Sequence, residues 1–245
     1  MHKWLTEFIG TFFLVLTVCL SVLTNAPLAA VAIGASLMVM VYMGGHISGG
    51  HYNPAVSLAV LLRGKLSPVE FVPYVVSQVL GALAAAWVAN YVLHNFSKHT
   101  FPVAAGKDVL VPGQNVEVVS ALVLEVLYTF ALCLVVLNVA TSKKTEGNSF
   151  YGLAIGFTVT AGAVAAGPLS GGAFNPAVGT GPTVIHALMT GDNAAWSNLW
   201  IYWAGPLLGG ALAAGVFLLQ EAGEAPSREV ARSAGEPVPA RNVMP

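Results

Sequence analysis

The sequence predicts an all-α integral membrane protein: six transmembrane helices plus two re-entrant half-helices, built as an inverted three-span repeat. Three observations predict it. Charged residues make up only 9% of the 245 positions and the mean hydropathy is +0.74, whereas a soluble domain carries roughly 25% charge, so no solvated surface could cover a core of this size. The apolar residues fall into six long runs. One nine-residue segment occurs twice, each time followed by an apolar stretch too short to cross a bilayer.

The runs are Trp4–Leu23, Leu28–Gly45, Val69–Leu93, Val118–Val139, Phe150–Gly167 and Leu199–Leu219. A helix rising ~1.5 Å per residue needs about 20 residues to cross the hydrocarbon layer, and each run approaches or exceeds that length. The first follows Lys3 and so resembles a signal peptide, but it is long for one and no small-residue cleavage pattern follows it; it reads as a retained span. Cys19 and Cys133 both lie inside spans and read as small apolar packing residues, with neither a disulfide nor a metal role. A net charge of −1 gives no footprint for nucleic acid.

Basic residues set the orientation. Lys3, Arg63, Lys65, Lys143, Lys144, Arg228, Arg232 and Arg241 fall on one side of a six-span layout, and only Lys98 and Lys107 on the other. The positive-inside rule then places both termini in the cytoplasm. Short loops and the lack of a targeting signal favour a bacterial inner membrane as the location of this multi-pass protein.

The duplication organises the rest. Ser48-Gly49-Gly50-His51-Tyr52-Asn53-Pro54-Ala55-Val56 recurs as Ser170-Gly171-Gly172-Ala173-Phe174-Asn175-Pro176-Ala177-Val178, identical at seven of nine positions. Glu7-Phe8 in the first span has a counterpart in Glu125-Val126 of the fourth. Tyr74, Gln78 and Gly81 match Tyr202, Pro206 and Gly209 with the same spacing. Each copy holds three spans, an odd number, so the second copy enters the membrane from the opposite face, the arrangement of inverted repeats about an axis in the membrane plane. The first repeat covers about 1–95 and the second about 117–220, together one membrane domain, 1–220. Residues 221–245, rich in Ala, Pro, Glu and Arg, read as a disordered cytoplasmic tail. Pro54–Leu62 and Pro176–Leu188 are the two half-spans, since irregular backbone at membrane depth is tolerated where it is buried in protein or lines a cavity.

Asn-Pro opening a helix has a physical logic. Asn is a strong N-cap whose side-chain oxygen accepts from the first turn's N–H groups, and proline at the first helical position loses no hydrogen bond. The Asn NH₂ is then left to donate. Asn53 and Asn175, approaching from opposite faces with the positive ends of two helix dipoles behind them, would repel cations and suit a neutral solute with lone pairs. Ser-Gly-Gly before each Asn would form an extended strand, giving acceptor carbonyls from Gly49, Gly50, His51, Tyr52, Gly171, Ala173 and Phe174. Glu7 and Glu125 are intramembrane acids, by default functional; their duplicated placement favours buried acceptors holding the neighbouring loop's N–H groups over a proton relay. His46 reads as structural, and His51 as offering its backbone carbonyl.

The segment Gly44–Val56, with Asn53-Pro54-Ala55 and its second copy Asn175-Pro176-Ala177, resembles the pore loops of the aquaporin, or major intrinsic protein, family, and Glu7-Phe8-x-Gly10-Thr11 resembles the start of its first span. The resemblance covers about residues 4–220. It implies a homotetramer in membrane lipid with one pore per subunit, passive flow, no cofactor and no metal. It also implies structural glutamates at Glu7 and Glu125. Where most members carry an arginine in the narrowest filter, this chain has Val178, and the other filter positions carried over are Ile33, Ala163 and Gly172. Water-selective members place a bulky aromatic and a histidine there; this chain has neither. The Gly167–Gly171 approach, the Gly181-Pro182 pair and Ala163 look closer to the glycerol-conducting branch. The expectation is a channel for water and small uncharged solutes such as glycerol, urea or metalloid hydroxides (arsenous or boric acid), with a water-selective channel as the alternative.

An ion-coupled secondary transporter shares inverted repeats and broken helices, but such proteins carry acids facing a binding site, and only Glu7 and Glu125 are available. An enzyme is disfavoured because no nucleophilic triad, metal-ligand spacing or phosphate loop appears among the span residues. Gly205-x-x-x-Gly209 reads as close helix packing. A junction protein would need an adhesive loop, and the longest, about Asn95–Glu117, has no such character.

Overall fold

The computed structural model describes residues 1–96, 112–113, 115–191 and 196–222. The expected tail starts two residues too early, since Glu221 and Ala222 close the last helix; the rest of it, with Arg228, Arg232 and Arg241, and the Lys98 and Lys107 positions lie outside the described residues. Within them the chain is helical, with no strand: α1 (His2–Leu23), α2 (Ala29–Ser48), α3 (Pro54–Leu62), α4 (Pro68–Phe96), α5 (Val118–Thr141), α6 (Tyr151–Ser170), α7 (Pro176–Thr190), the short α8 (Trp196–Leu199) and α9 (Ile201–Ala222). Among the described residues, six helical stretches are long and apolar enough to cross a membrane, and they coincide with the six runs in the sequence. The half-helices are α3 and α7. Their N-termini face each other, and α3 runs toward the end of the bundle that carries both Lys3 and Glu221.

Two helices extend past the points where their apolar runs stop. Helix α2 continues through Gly44-Gly45 to Ser48, and α6 continues through Gly167-Pro168 to Ser170. Each ends on a glycine in the left-handed region, Gly49 at φ 92° and Gly171 at φ 95°, a C-cap that any residue with a Cβ would find costly. The expected extended Ser-Gly-Gly strand is therefore replaced. The serine is the last helical residue, and both glycines that follow turn left-handed, with Gly50 at φ 64° and Gly172 at φ 66°.

Bundle packing relies on backbone contact more than on hydrophobicity, which drives little association between helices already in lipid. A Cβ on Gly209 in α9 would lie 2.5 Å from the Val126 carbonyl oxygen of α5, and one on Gly81 in α4 would lie 2.5 Å from the Phe8 carbonyl oxygen of α1. The Gly205/Gly209 pair thus sits at a helix crossing, and Gly81, the counterpart of Gly209 in the first half, does the same. Gly181 of the Gly181-Pro182 pair lies similarly close to the Ala82 carbonyl of α4. Large apolar side chains such as Val69, Val119, Leu188 and Leu219 remain exposed on the outside, as expected for a surface that faces lipid. At the terminal end, Lys3 pairs with Glu70 at 2.8 Å. Arg63, just past α3, pairs with Glu221 of α9 at 2.9 Å while its guanidinium stacks 4.8 Å from the Phe217 ring centre.

Candidate functional site

Each half-helix is opened by its asparagine. Asn53 and Asn175 have extended backbone, and their Oδ1 atoms accept from the N–H groups of Ala55 (2.8 Å) and Ala177 (2.9 Å), with Pro54 and Pro176 following. The amide nitrogens reach across the midline. Asn53 Nδ2 donates to the Phe174 carbonyl and Asn175 Nδ2 donates to the Tyr52 carbonyl, both at 2.9 Å. This reciprocal pair ties the two loops together and uses one of the two N–H groups on each asparagine. The sequence reading left the whole NH₂ to the passage; one N–H per asparagine remains. It also engages the Tyr52 and Phe174 carbonyls, which were expected as pore acceptors.

Tyr52 and Phe174 are themselves left-handed, at φ 49° and 48°, a conformation strained for aromatic residues. A buried glutamate holds each of them. Glu7 Oε2 accepts from Tyr52 N at 2.7 Å, and Oε1 from His51 N at 3.0 Å and Ser48 Oγ at 2.6 Å. Glu125 repeats this with Phe174 N at 2.7 Å, Ala173 N at 3.1 Å and Ser170 Oγ at 2.8 Å. Tyr74 and Tyr202 each donate, at 2.7 Å, to the carbonyl of the helix-ending serine. A carboxylate offers acceptors only. Both glutamates are fully buried and surrounded by donors, which fits a loop anchor.

The halves differ in one respect that the repeat alignment signals. In the first, Gln78 Nε2 donates to Glu7 Oε2 (2.8 Å) and to Ser57 Oγ (2.9 Å), and Ser57 Oγ also bonds His51 Nδ1 (3.1 Å). The equivalents of His51, Ser57 and Gln78 in the second half are Ala173, Gly179 and Pro206, which can form no such chain. The sequence reading used Gln78 only as a landmark. His51 is buried with its ring bonded through Nδ1, so its side chain is an engaged group and not a bystander to its carbonyl. His46, by contrast, is exposed.

A cavity of about 610 Å³ runs from Asn25–Pro27 and Pro112-Gly113, at the end opposite the termini, inward to the asparagine pair. Asn53, Asn175, His51, Gly50, Gly171, Ala173 and Phe174 line it; Gly49 and Tyr52 are not among its lining residues. Ile33, Ala163, Gly172 and Val178, drawn from α2, α6, the second loop and α7, all line this same cavity, and no Asp, Glu, Lys or Arg does among the described residues. Nor do the described residues hold a cluster of His, Cys, Asp or Glu able to ligate a metal.

Two half-helices meeting head to head at capped asparagines, within a bundle of six membrane-length helices, define a channel-forming membrane protein. The chain belongs to the major intrinsic protein, or aquaporin, family: the profile of that family, described as "Major intrinsic protein", matches residues 1–217. Aquaporin NIP1-1 of Zea mays is 35% identical over 241 residues, covering 95% of this chain and 79% of its own. Aquaporin TIP2-1 of Arabidopsis thaliana is 36% identical over 227 residues (87% and 84%), and nodulin-26 of Glycine max is 32% identical over 245 residues (96% and 83%). Among solved structures, the aquaglyceroporin of Plasmodium falciparum superposes with a TM-score of 0.77 over 88% of this chain and 94% of that one. At 19% identity this likeness shows the fold alone. The chain is accordingly a passive membrane channel for water and small solutes, and not an enzyme.

Proposed function

We propose that this channel conducts small uncharged solutes, namely glycerol, urea or metalloid hydroxides such as arsenous acid, together with water. The observation that carries the reading is the composition of the cavity: Ile33, Ala163, Gly172 and Val178 share it, and no charged side chain lines it. We take these four as the selectivity filter and the paired Asn53 and Asn175 as the central polar station. With valine in place of an arginine, the filter has neither the volume nor the donors of a guanidinium, so larger neutral solutes can pass and water is no longer singled out. The glutamate-held loops supply the rigid frame, and the remaining N–H of each asparagine supplies a donor that a neutral lone pair can use.

The basic residues at the Lys3/Arg63 end support cytoplasmic termini, and the short connections fit a bacterial inner membrane. The exposed apolar flanks accommodate lipid and, in the family's manner, a homotetramer. Residues 1–220 form the channel unit. Stopped-flow light scattering on proteoliposomes tests the reading by comparing a sucrose step with a glycerol step. Fast shrinkage in both, with fast re-swelling in glycerol alone, supports it. Fast shrinkage without re-swelling would make the protein a water-selective channel, and flow no faster than in empty vesicles would remove the reading.

A further inference from the structure

We propose that Gln78 is a positioning residue of the pore: acting through Ser57, it holds the His51 ring as the tautomer protonated on Nε2, which gives the passage a side-chain N–H donor beside the first loop that the second loop lacks. The direction of the chain is set at Glu7. Its carboxylate accepts from Ser48 Oγ, His51 N, Tyr52 N and Gln78 Nε2, and a carboxylate can only accept. The Gln78 amide is therefore turned with its nitrogen toward Glu7; turned over, it would set Oε1 against a carboxylate oxygen. It keeps this orientation although Oε1 is then buried without a partner among the described residues. The second hydrogen of Nε2 goes to Ser57 Oγ at 2.9 Å. Ser57 is fully buried, and its hydroxyl has a single hydrogen. Among the described residues its other partner is His51 Nδ1 at 3.1 Å, so the hydroxyl donates there and Nδ1 accepts. A neutral imidazole whose Nδ1 accepts carries its proton on Nε2. The opposite tautomer would leave the Ser57 hydrogen buried with no acceptor, which biases the equilibrium by about tenfold or more.

His51 lines the cavity, with its ring centre 5.1 Å from that of Tyr74. With Nδ1 taken, Nε2 is the polar atom the ring has left to offer, and it has no protein partner among the described residues. Gly49 leaves room beside it, since a Cβ there would lie 2.9 Å from Nε2. In the second half Ala173, Gly179 and Pro206 replace His51, Ser57 and Gln78, so that loop has no such donor. Gly171, Gly172 and Ala173 also line the cavity, and among the described residues their carbonyls accept no hydrogen bond. On the solute-channel reading, on which this consequence rests, a solute oxygen leaving the asparagine N–H groups meets a further donor beside the first loop and backbone acceptors beside the second.

The test is ¹⁵N NMR of histidine-labelled protein in lipid at about pH 8, where an ordinary imidazole is neutral, with the His51 signals assigned by their loss in His51→Gln. The native protein should show the Nε2–H form in about tenfold excess or more. A free neutral imidazole already leans that way, so Gln78→Glu gives the stringent result. The introduced carboxyl, protonated against Glu7, presents its other oxygen to Ser57, which then donates to it and accepts from Nδ1–H, and the tautomer should reverse. Ser57→Ala breaks the relay without adding an acid. It should raise the Nδ1–H share by about threefold or more, which keeps the test decisive if the carboxyl variant fails to fold. Dimethyl sulfoxide can only accept hydrogen bonds, whereas glycerol hydroxyls both donate and accept. With the flux of empty vesicles subtracted, the dimethyl sulfoxide-to-glycerol permeability ratio should therefore fall about twofold or more in Gln78→Glu. An Nδ1–H or doubly protonated His51 in the native protein, or a tautomer unmoved by both variants, overturns the inference. So does a native channel that passes glycerol but not dimethyl sulfoxide, or a ratio unchanged where the ring has reversed. Absence of protein-dependent glycerol flux would overturn the proposed function and leave the tautomer assignment standing.

Discussion

Replacing Glu7 or Glu125 by glutamine tests whether these acids are anchors. The amide keeps the shape but turns one acceptor oxygen into an NH₂. In Glu7→Gln, whichever oxygen is lost leaves one backbone N–H without a partner, His51 N on one side or Tyr52 N on the other. The remaining donors can adapt, because the Ser48 hydroxyl rotates and the Gln78 amide can turn its unpartnered Oε1 toward the new NH₂. Glu125→Gln strands Ala173 N or Phe174 N in the same way. An orphaned buried N–H costs about 1–3 kcal/mol, and weakening the surviving bonds by removing their charge adds about 1 kcal/mol. Each variant should thus lose about 2–4 kcal/mol, which for a chain of this size lowers the melting temperature by roughly 4–16 °C. Fluorescence-detected thermal unfolding of detergent-purified protein reads this directly. The double variant should lose less than the sum, because the loops are tied through Asn53 and Asn175 and loosening one already frees the other. A shift below about 2 °C in either single variant would refute the anchoring argument and reopen the proton-relay reading.

Other perturbations follow from the same contacts. Val178→Arg should reduce glycerol flux more than water flux and make proteoliposomes tighter to protons; equal proton flux in the two proteins would show that Val178 leaves no leak. Gly209→Val should destabilise by about 1–3 kcal/mol through overpacking, since its Cβ position lies 2.5 Å from the Val126 carbonyl oxygen. Gly215→Ala, also in α9 but with nothing within 4 Å of its Cβ position, should be neutral or stabilising by about 0.5–1 kcal/mol in the same melting assay. Arg63→Gln should cost about 1–3 kcal/mol, because the Arg63 side chain is only 16% exposed and the change removes a charged hydrogen bond to Glu221 together with the stack on Phe217; a loss within error of zero would show that solvent screens the pair.

The helices were legible because the bilayer makes length and hydropathy sufficient. All six spans were placed, and α3 was bounded at Pro54 by its Asn-Pro start and at Leu62 by the end of its apolar stretch before Arg63. The ends of α2 and α6 were misplaced because Gly44-Gly45 and Gly167-Pro168 look like terminators, whereas a helix held between neighbours tolerates them and stops instead at the first left-handed glycine. The left-handed backbone of Tyr52 and Phe174 was not legible, since nothing local favours it; it is held by a glutamate from another helix. The asparagine cross-link was missed for the same reason, as it depends on two loops meeting tip to tip. The polar chain through His51, Ser57 and Gln78 could have been found by asking where the two copies differ.

The most direct test of the central claim, a passive pore at the asparagine pair, is equilibrium uptake of labelled glycerol into proteoliposomes with and without imposed proton or sodium gradients. The account predicts entry that rises linearly with the glycerol gradient, ignores the ion gradients and stops when inside and outside concentrations are equal. Saturable uptake that carries glycerol above equilibrium on an ion gradient would contradict it and make the protein a coupled transporter.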